Sequence, residues 1–154
     1  MVYFLTISTL KSESYINNNV DDEQLKIFLQ RVQKVHLASL LGNEFYAHLV
    51  DAIENTTLTA AETTLISDYL KPLIISLTEI KATVFLKTQF RKKTVGENND
   101  EFMRSSSKEL LNDLYDEKKK FENDVLNYLC DNSTDYPLFV NSTTNGYNNN
   151  IAFV

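Results

Sequence analysis

The chain has 154 residues, 43% of them hydrophobic, with only three glycines, two prolines and one cysteine. That length fits one domain with a sizeable core, the scarcity of breakers favours helices over a turn-rich β fold, and a single thiol excludes a disulfide framework or a cysteine-based zinc site. Fifteen basic residues against 21 acidic ones give a net charge of −6, which argues against indiscriminate coating of nucleic acid.

Residues 1–20 open with an apolar, strand-like start and continue as a polar Ser/Asn stretch from Ser12 to Asn19. They predict a loose N-terminal arm unless a neighbour covers it. Met1-Val-Tyr-Phe-Leu has no positive n-region of a signal peptide, and no apolar run approaches the roughly 20 residues that span a bilayer.

From Asp21 to Ile53 the spacing predicts two amphipathic helices broken at Gly42. Asp21 or Asp22 caps the first, whose stripe is Leu25, Phe28, Leu29, Val32, His36, Leu37 and Leu40. Gly42 suits a helix end that needs positive φ, and Asn43 caps a second helix with Phe45, Tyr46, Leu49, Val50 and Ile53 on one face. So short a turn yields a packed α-hairpin and no pocket. His36 reads as a satisfied interfacial histidine, and neither it nor His48 has the spacing of a paired metal ligand.

After the loop Asn55 to Thr59, Thr59 and Glu62 match a capping box that starts a helix carrying Leu65, Ile66, Tyr69 and Leu70. Pro72 is expected to kink or restart it. Leu73 to about Phe90 is the most apolar stretch and predicts a central helix, ending in the basic cluster Lys87, Arg91, Lys92 and Lys93. That cluster is either a solvated helix end, complementing the dipole, or a patch that meets DNA phosphates or an acidic neighbouring subunit.

Residues 91–104 read as a charged loop, and a second capping box, Ser106 with Glu109, predicts the start of a long last helix with Leu110, Leu114, Phe121, Val125 and Leu129 inward. Cys130 falls near the end of that stripe and is expected to be buried and inert. The tail changes character. Tyr136 to Val140 and Ile151 to Val154 are short, β-prone and apolar, on either side of a polar segment around Gly146. They suit a partner's sheet edge or a return onto the chain's own helices, and the residues leave both open.

No serine has a nearby histidine or glycine elbow, and Asp21-Asp22-Glu23 and Asn98 to Glu101 lack the alternation of a calcium loop. The chain is therefore expected to be no enzyme, and to need no cofactor and no metal. The predicted fold is all-α: a bundle of four or five helices with a long C-terminal helix and a β-prone C-terminal tail. Its organisation divides into an N-terminal arm at 1–20, a helical domain at 21–131 and a C-terminal docking tail at 132–154.

An acidic helix start, a helix containing Gln30 and Gln33, and then Leu40-Leu41-Gly42-Asn43-Glu44-Phe45-Tyr46 together resemble small head–tail connector (adaptor) proteins of tailed phages. The nearest group is the ring proteins of crAss-like phages. The resemblance continues through Asp68-Tyr69-Leu70-Lys71-Pro72-Leu73 and Asn127-Tyr128-Leu129 to Tyr136-Pro137-Leu138-Phe139. LLG and YL are common strings, so the order and spacing carry it. It implies a virion structural protein assembled in the host cytoplasm, a homo-oligomeric ring (a dodecamer in the family) joining the portal to the tail. Its partners would be the portal protein, other tail or ring proteins and, transiently, double-stranded DNA in the channel, with no membrane. It also favours a docking role for Tyr136, Pro137, Leu138, Phe139, Val140, Ile151, Phe153 and Val154. The rival expectation is a small helical regulatory or DNA-binding module, which needs a basic recognition helix. The helix after Gly42 carries Glu44, Asp51 and Glu54 instead.

Overall fold

Leu10, buried completely, belongs to a helix that the sequence did not announce. The computed structural model describes residues 4–16, 20–93 and 100–139, and the side chains of all of these except 86–93 and 100–107. Helix α1, Ile7–Glu13, starts at Thr6, whose hydroxyl accepts the Thr9 N–H at 3.2 Å. Phe4, Leu5 and Ile16 flank Leu10 in the core. Lys11 then ties the segment down, with Nζ 2.6 Å from the Asp22 carboxylate and 2.9 Å from the Val20 carbonyl. The expected loose arm is corrected over these residues: apolar side chains at Phe4, Leu5, Ile7 and Leu10 give it enough surface to bury.

Helix α2 runs over residues 22–41, capped by the Asp21 carboxylate, which accepts the Glu23 N–H at 3.0 Å. Its middle, Val32–Leu37, is π-helical, with the Ala38 N–H donating to the Gln33 carbonyl five residues back. The wider turn absorbs an extra residue and rotates the rest of the helix about its axis. Leu25, Leu29, Val32, Leu37 and Leu41 are therefore the fully buried set, and Gln33 is buried with them. His36 and Leu40, expected on the inner face, are only partly buried.

Gly42 ends α2 and begins helix α3, Asn43–Glu54, at φ +83° and ψ 149°. Asn43 is thus the first helical residue and caps nothing. The second stripe holds as expected: Phe45 and Leu49 are buried, and Tyr46, Val50 and Ile53 pack against the core.

Helix α4 comprises Ala60–Thr64, a π-helical stretch Leu65–Leu70, and Lys71–Lys93. The capping box at its start is present in both directions. Pro72 does not restart the helix, which continues from Ala60 to Lys93. Its missing N–H and its ring crowd the turn before it, and the π stretch, where the Lys71 N–H reaches back to the Ile66 carbonyl, relieves that conflict. Beyond it Leu73, Ile74, Ser76, Leu77, Thr78, Glu79 and Ile80 are all buried, so α4 is the central helix, as its composition predicts.

Helix α5, Asp100–Asp131, starts earlier than the Ser106–Glu109 signature suggests and runs through it. Ser76 Oγ donates to the Leu114 carbonyl at 3.3 Å, and Tyr69 stacks on Tyr128. Later residues of α4 meet earlier ones of α5, so the pair is antiparallel. Phe28 of α2 meets Phe85 of α4 edge-on, with centroids 5.2 Å apart. The fold is all-α, as expected, with no strand among the described residues. No helix among them is long and apolar enough to cross a membrane.

Candidate functional site

Because α4 and α5 lie antiparallel, carboxylates distant in sequence line one continuous trough. Its larger part, about 640 Å³, is walled by the end of α1, by α4 from Ser67 to Glu79 and by α5 from Glu117 to Phe121. Its smaller part, about 310 Å³, continues between Asp68 on α4 and Asp131 on α5. Pro72 and Phe121 line both.

In the larger part Glu79 is 5% exposed, the one charged residue on a buried stretch of α4. Its Oε1 accepts the Tyr15 backbone N–H at 2.7 Å. Burial pushes its pKa above the ordinary carboxylate value, and the Glu117 carboxylate adds to this against the opposing Tyr15 hydrogen bond. Lys71, at the rim, pairs with Glu13 at 2.6 Å, and Lys120 is the other cation on the wall.

The smaller part has one sign of charge. Asp68, Asp124 and Asp131 are all exposed, and no cationic side chain lines it. Its floor is aromatic: Tyr69 and Tyr128 stack with centroids 4.0 Å apart, beside Phe121. Among the described residues no group of three or more His, Cys, Asp and Glu gathers in a way that could hold a metal. What the trough offers is a long, negatively charged surface with flat apolar contacts. Cationic side chains on another polypeptide suit it.

A second cluster fastens the hairpin to α4. His48 Nε2 lies 2.6 Å from Glu62 Oε1, and Glu62 Oε2 accepts both the Thr59 N–H, at 2.8 Å, and the Thr59 hydroxyl, at 3.0 Å. Burial pushes the Glu62 pKa upward, but the Thr59 backbone bond, the His48 bond and the Thr59 hydroxyl outweigh it and hold the carboxyl below its ordinary range. Its place in the capping box makes this pair a structural staple.

The tail residues divide. After α5, turns at 132–135 send the chain back over the helices. Tyr136 is 2% exposed, inclined against Phe45 with centroids 5.8 Å apart, and Phe139 packs edge-on to the same ring at 6.3 Å. Tyr136 and Phe139 are therefore corrected from docking residues to parts of the chain's own packing, because Phe45, Tyr128 and the start of α4 leave an aromatic slot that they fill. Pro137 and Leu138 are exposed. Val140, Ile151, Phe153 and Val154 lie outside the described residues.

Lys87, Arg91, Lys92 and Lys93 fall on the last turns of α4, beyond the stretch 67–79 that lines the trough, and their side chains lie outside the described set. His36 is half-buried, its pKa lowered by burial and by the Lys81 and Lys118 charges nearby. Cys130, expected inside, is exposed, because Val125 and Leu129 take the inward positions of that helix. The trough itself was missed in the sequence. Two signals pointed to it: Glu79 is the lone charge between Leu73 and Ile80, and Asp124, Asn127 and Asp131 recur on one helical face.

Residues 37–149, more than two-thirds of the chain, match the model of a family of unknown function, DUF6712. The chain belongs to this family. The match takes in the last turn of α2, the Gly42 turn, α3, both long helices α4 and α5 and the buried Tyr136, so the matched part includes both walls of the trough's smaller part. No curated protein and no solved structure matches the chain.

Proposed function

We propose that the chain is a virion structural protein, a head–tail connector ring subunit that joins the portal to the tail and surrounds the DNA channel. The observation that carries this reading is the order and spacing of the segments from Asp21 to Phe139, which resemble the connector proteins of tailed phages. The fold is compatible with it. A helical bundle with a long acidic trough on one side and a tightly turned hairpin offers surfaces for protein contact. In this role the protein performs no catalysis, and its binding free energy goes into lateral and portal contacts. A closed ring needs a head-to-tail interface, typically about 800 Å² per partner.

The test is co-expression with the portal protein of the same genome. Co-elution of the two in one large complex is the expected result. Separate elution, together with salt-dependent duplex binding by the isolated chain, would favour the helical regulatory module instead.

A further inference from the structure

We propose, resting on the ring reading, that the trough of one copy receives the basic C-terminal end of α4, around Arg91, Lys92 and Lys93, from the next copy in the ring. Complementary charge is the first argument. Asp68, Asp124 and Asp131 are exposed and form no ion pair with a cation among the described residues, and the chain's densest basic cluster carries three adjacent cations. The floor is the second. Guanidinium and ammonium groups also pack well against aromatic rings, and Tyr69, Tyr128 and Phe121 line the same part of the trough as the carboxylates.

Glu79 supplies an independent argument at the deep end. It is 5% exposed, yet among the described residues its carboxylate accepts one hydrogen bond, from Tyr15. A carboxylate has roughly four acceptor sites, and a buried one calls for a cation or further donors. Its unused capacity faces a trough into which a long Lys or Arg side chain fits.

Geometry makes the contact one between copies. Asp68 and Lys92 lie on the same helical run, 24 residues apart in sequence, so about 35 Å separates them along α4. A subunit cannot fill its own trough. It presents the basic end to one neighbour and the trough to the other, which is the heterologous arrangement that closes into a ring.

The experiment is sedimentation velocity on the full chain at low ionic strength, with two triple variants. One reverses the trough (D68K, D124K, D131K), and the other reverses the helix end (R91E, K92E, K93E). The wild type is expected to self-associate, less so as salt rises. Each variant alone should associate about tenfold to a hundredfold more weakly, and an equimolar mixture of the two should regain association because opposite charges again face each other. Far-UV circular dichroism checks that both stay helical. The neutral pairs D124N with D131N, and K92Q with K93Q, should move the same way by less, keeping the test intact if a reversal misfolds.

Variants that associate like the wild type would overturn this contact and leave the ring reading to the portal experiment. A wild type still monomeric near about millimolar concentration would also overturn it. So would a helix-end variant that loses duplex DNA binding but keeps self-association, since the cluster would then serve the channel.

Discussion

The Tyr136 hydroxyl donates to the Ala61 carbonyl at 2.7 Å, closing 75 residues of chain onto the first turn of α4. The same hydroxyl lies 3.3 Å from that of Tyr128, and its ring is almost wholly buried against Phe45. Replacing Tyr136 by Phe keeps the ring and removes both hydroxyl contacts, so a loss of about 1–2 kcal/mol is expected in urea unfolding. Replacing it by Ala also empties the slot, and the loss should reach about 3–5 kcal/mol. Equal effects from the two would show that the ring contributes nothing.

Truncation separates the two halves of the tail. A chain ending at Phe139 keeps Tyr136 and Phe139 in place and should melt close to the full-length protein. Removal of 136–154 takes away a core side chain and should lower the melting temperature by several degrees or more, as the Tyr136→Ala loss implies. Calorimetry on the two truncations decides this. Matching melting temperatures would return Tyr136 to the role of an external plug.

Glu62 and Glu79 should give pH dependences of opposite sign around their ordinary pKa of 4.5. The folded pKa of Glu62 is depressed, so its contribution is fully present above 4.5 and is lost as pH falls through the folded value. That of Glu79 is raised, so the folded state binds its proton more tightly, and stability falls as pH rises from 4.5 through the folded value. E79Q should therefore flatten the upper part of the profile without loss of stability at neutral pH, and E62Q should flatten the acid part while lowering neutral stability. Unchanged slopes in urea titrations of these variants would refute the assignment.

Gly42 adopts a backbone that side-chain-bearing residues rarely take, at φ +83°, and a Cβ there would meet nothing within 4 Å. Gly42→Ala should thus cost about 1–3 kcal/mol through backbone strain alone. Gly42→Asn should cost about as much in the same unfolding experiment, because ψ 149° lies outside the left-handed helical region that asparagine tolerates. Variants as stable as the wild type would show that this position does not require glycine.

Much of this fold was legible along the sequence, and the part that was not has physical causes. Gly42, the Thr59–Glu62 box and the apolar run after Pro72 act locally, so their residues alone announce the hairpin and the central helix. The π turns do not announce themselves: a single 3.6-residue period through 32–37 puts His36 and Leu40 inward, and the structure buries Gln33 and Leu41 instead. Gln33 shows the cost of that shift, because its buried side-chain amide nitrogen has no hydrogen-bond partner. Helix α1 was hidden because its serines and threonines favour loops, and only contacts with distant helices stabilise so short a segment. The trough depends on the pairing of α4 with α5, a long-range relationship that no local pattern encodes.

Quantitative mass spectrometry of purified phage particles tests the proposed connector role. The protein is expected in tailed particles at a copy number close to that of the portal subunit. Its absence from particles whose portal protein is readily quantified would rule out the connector role.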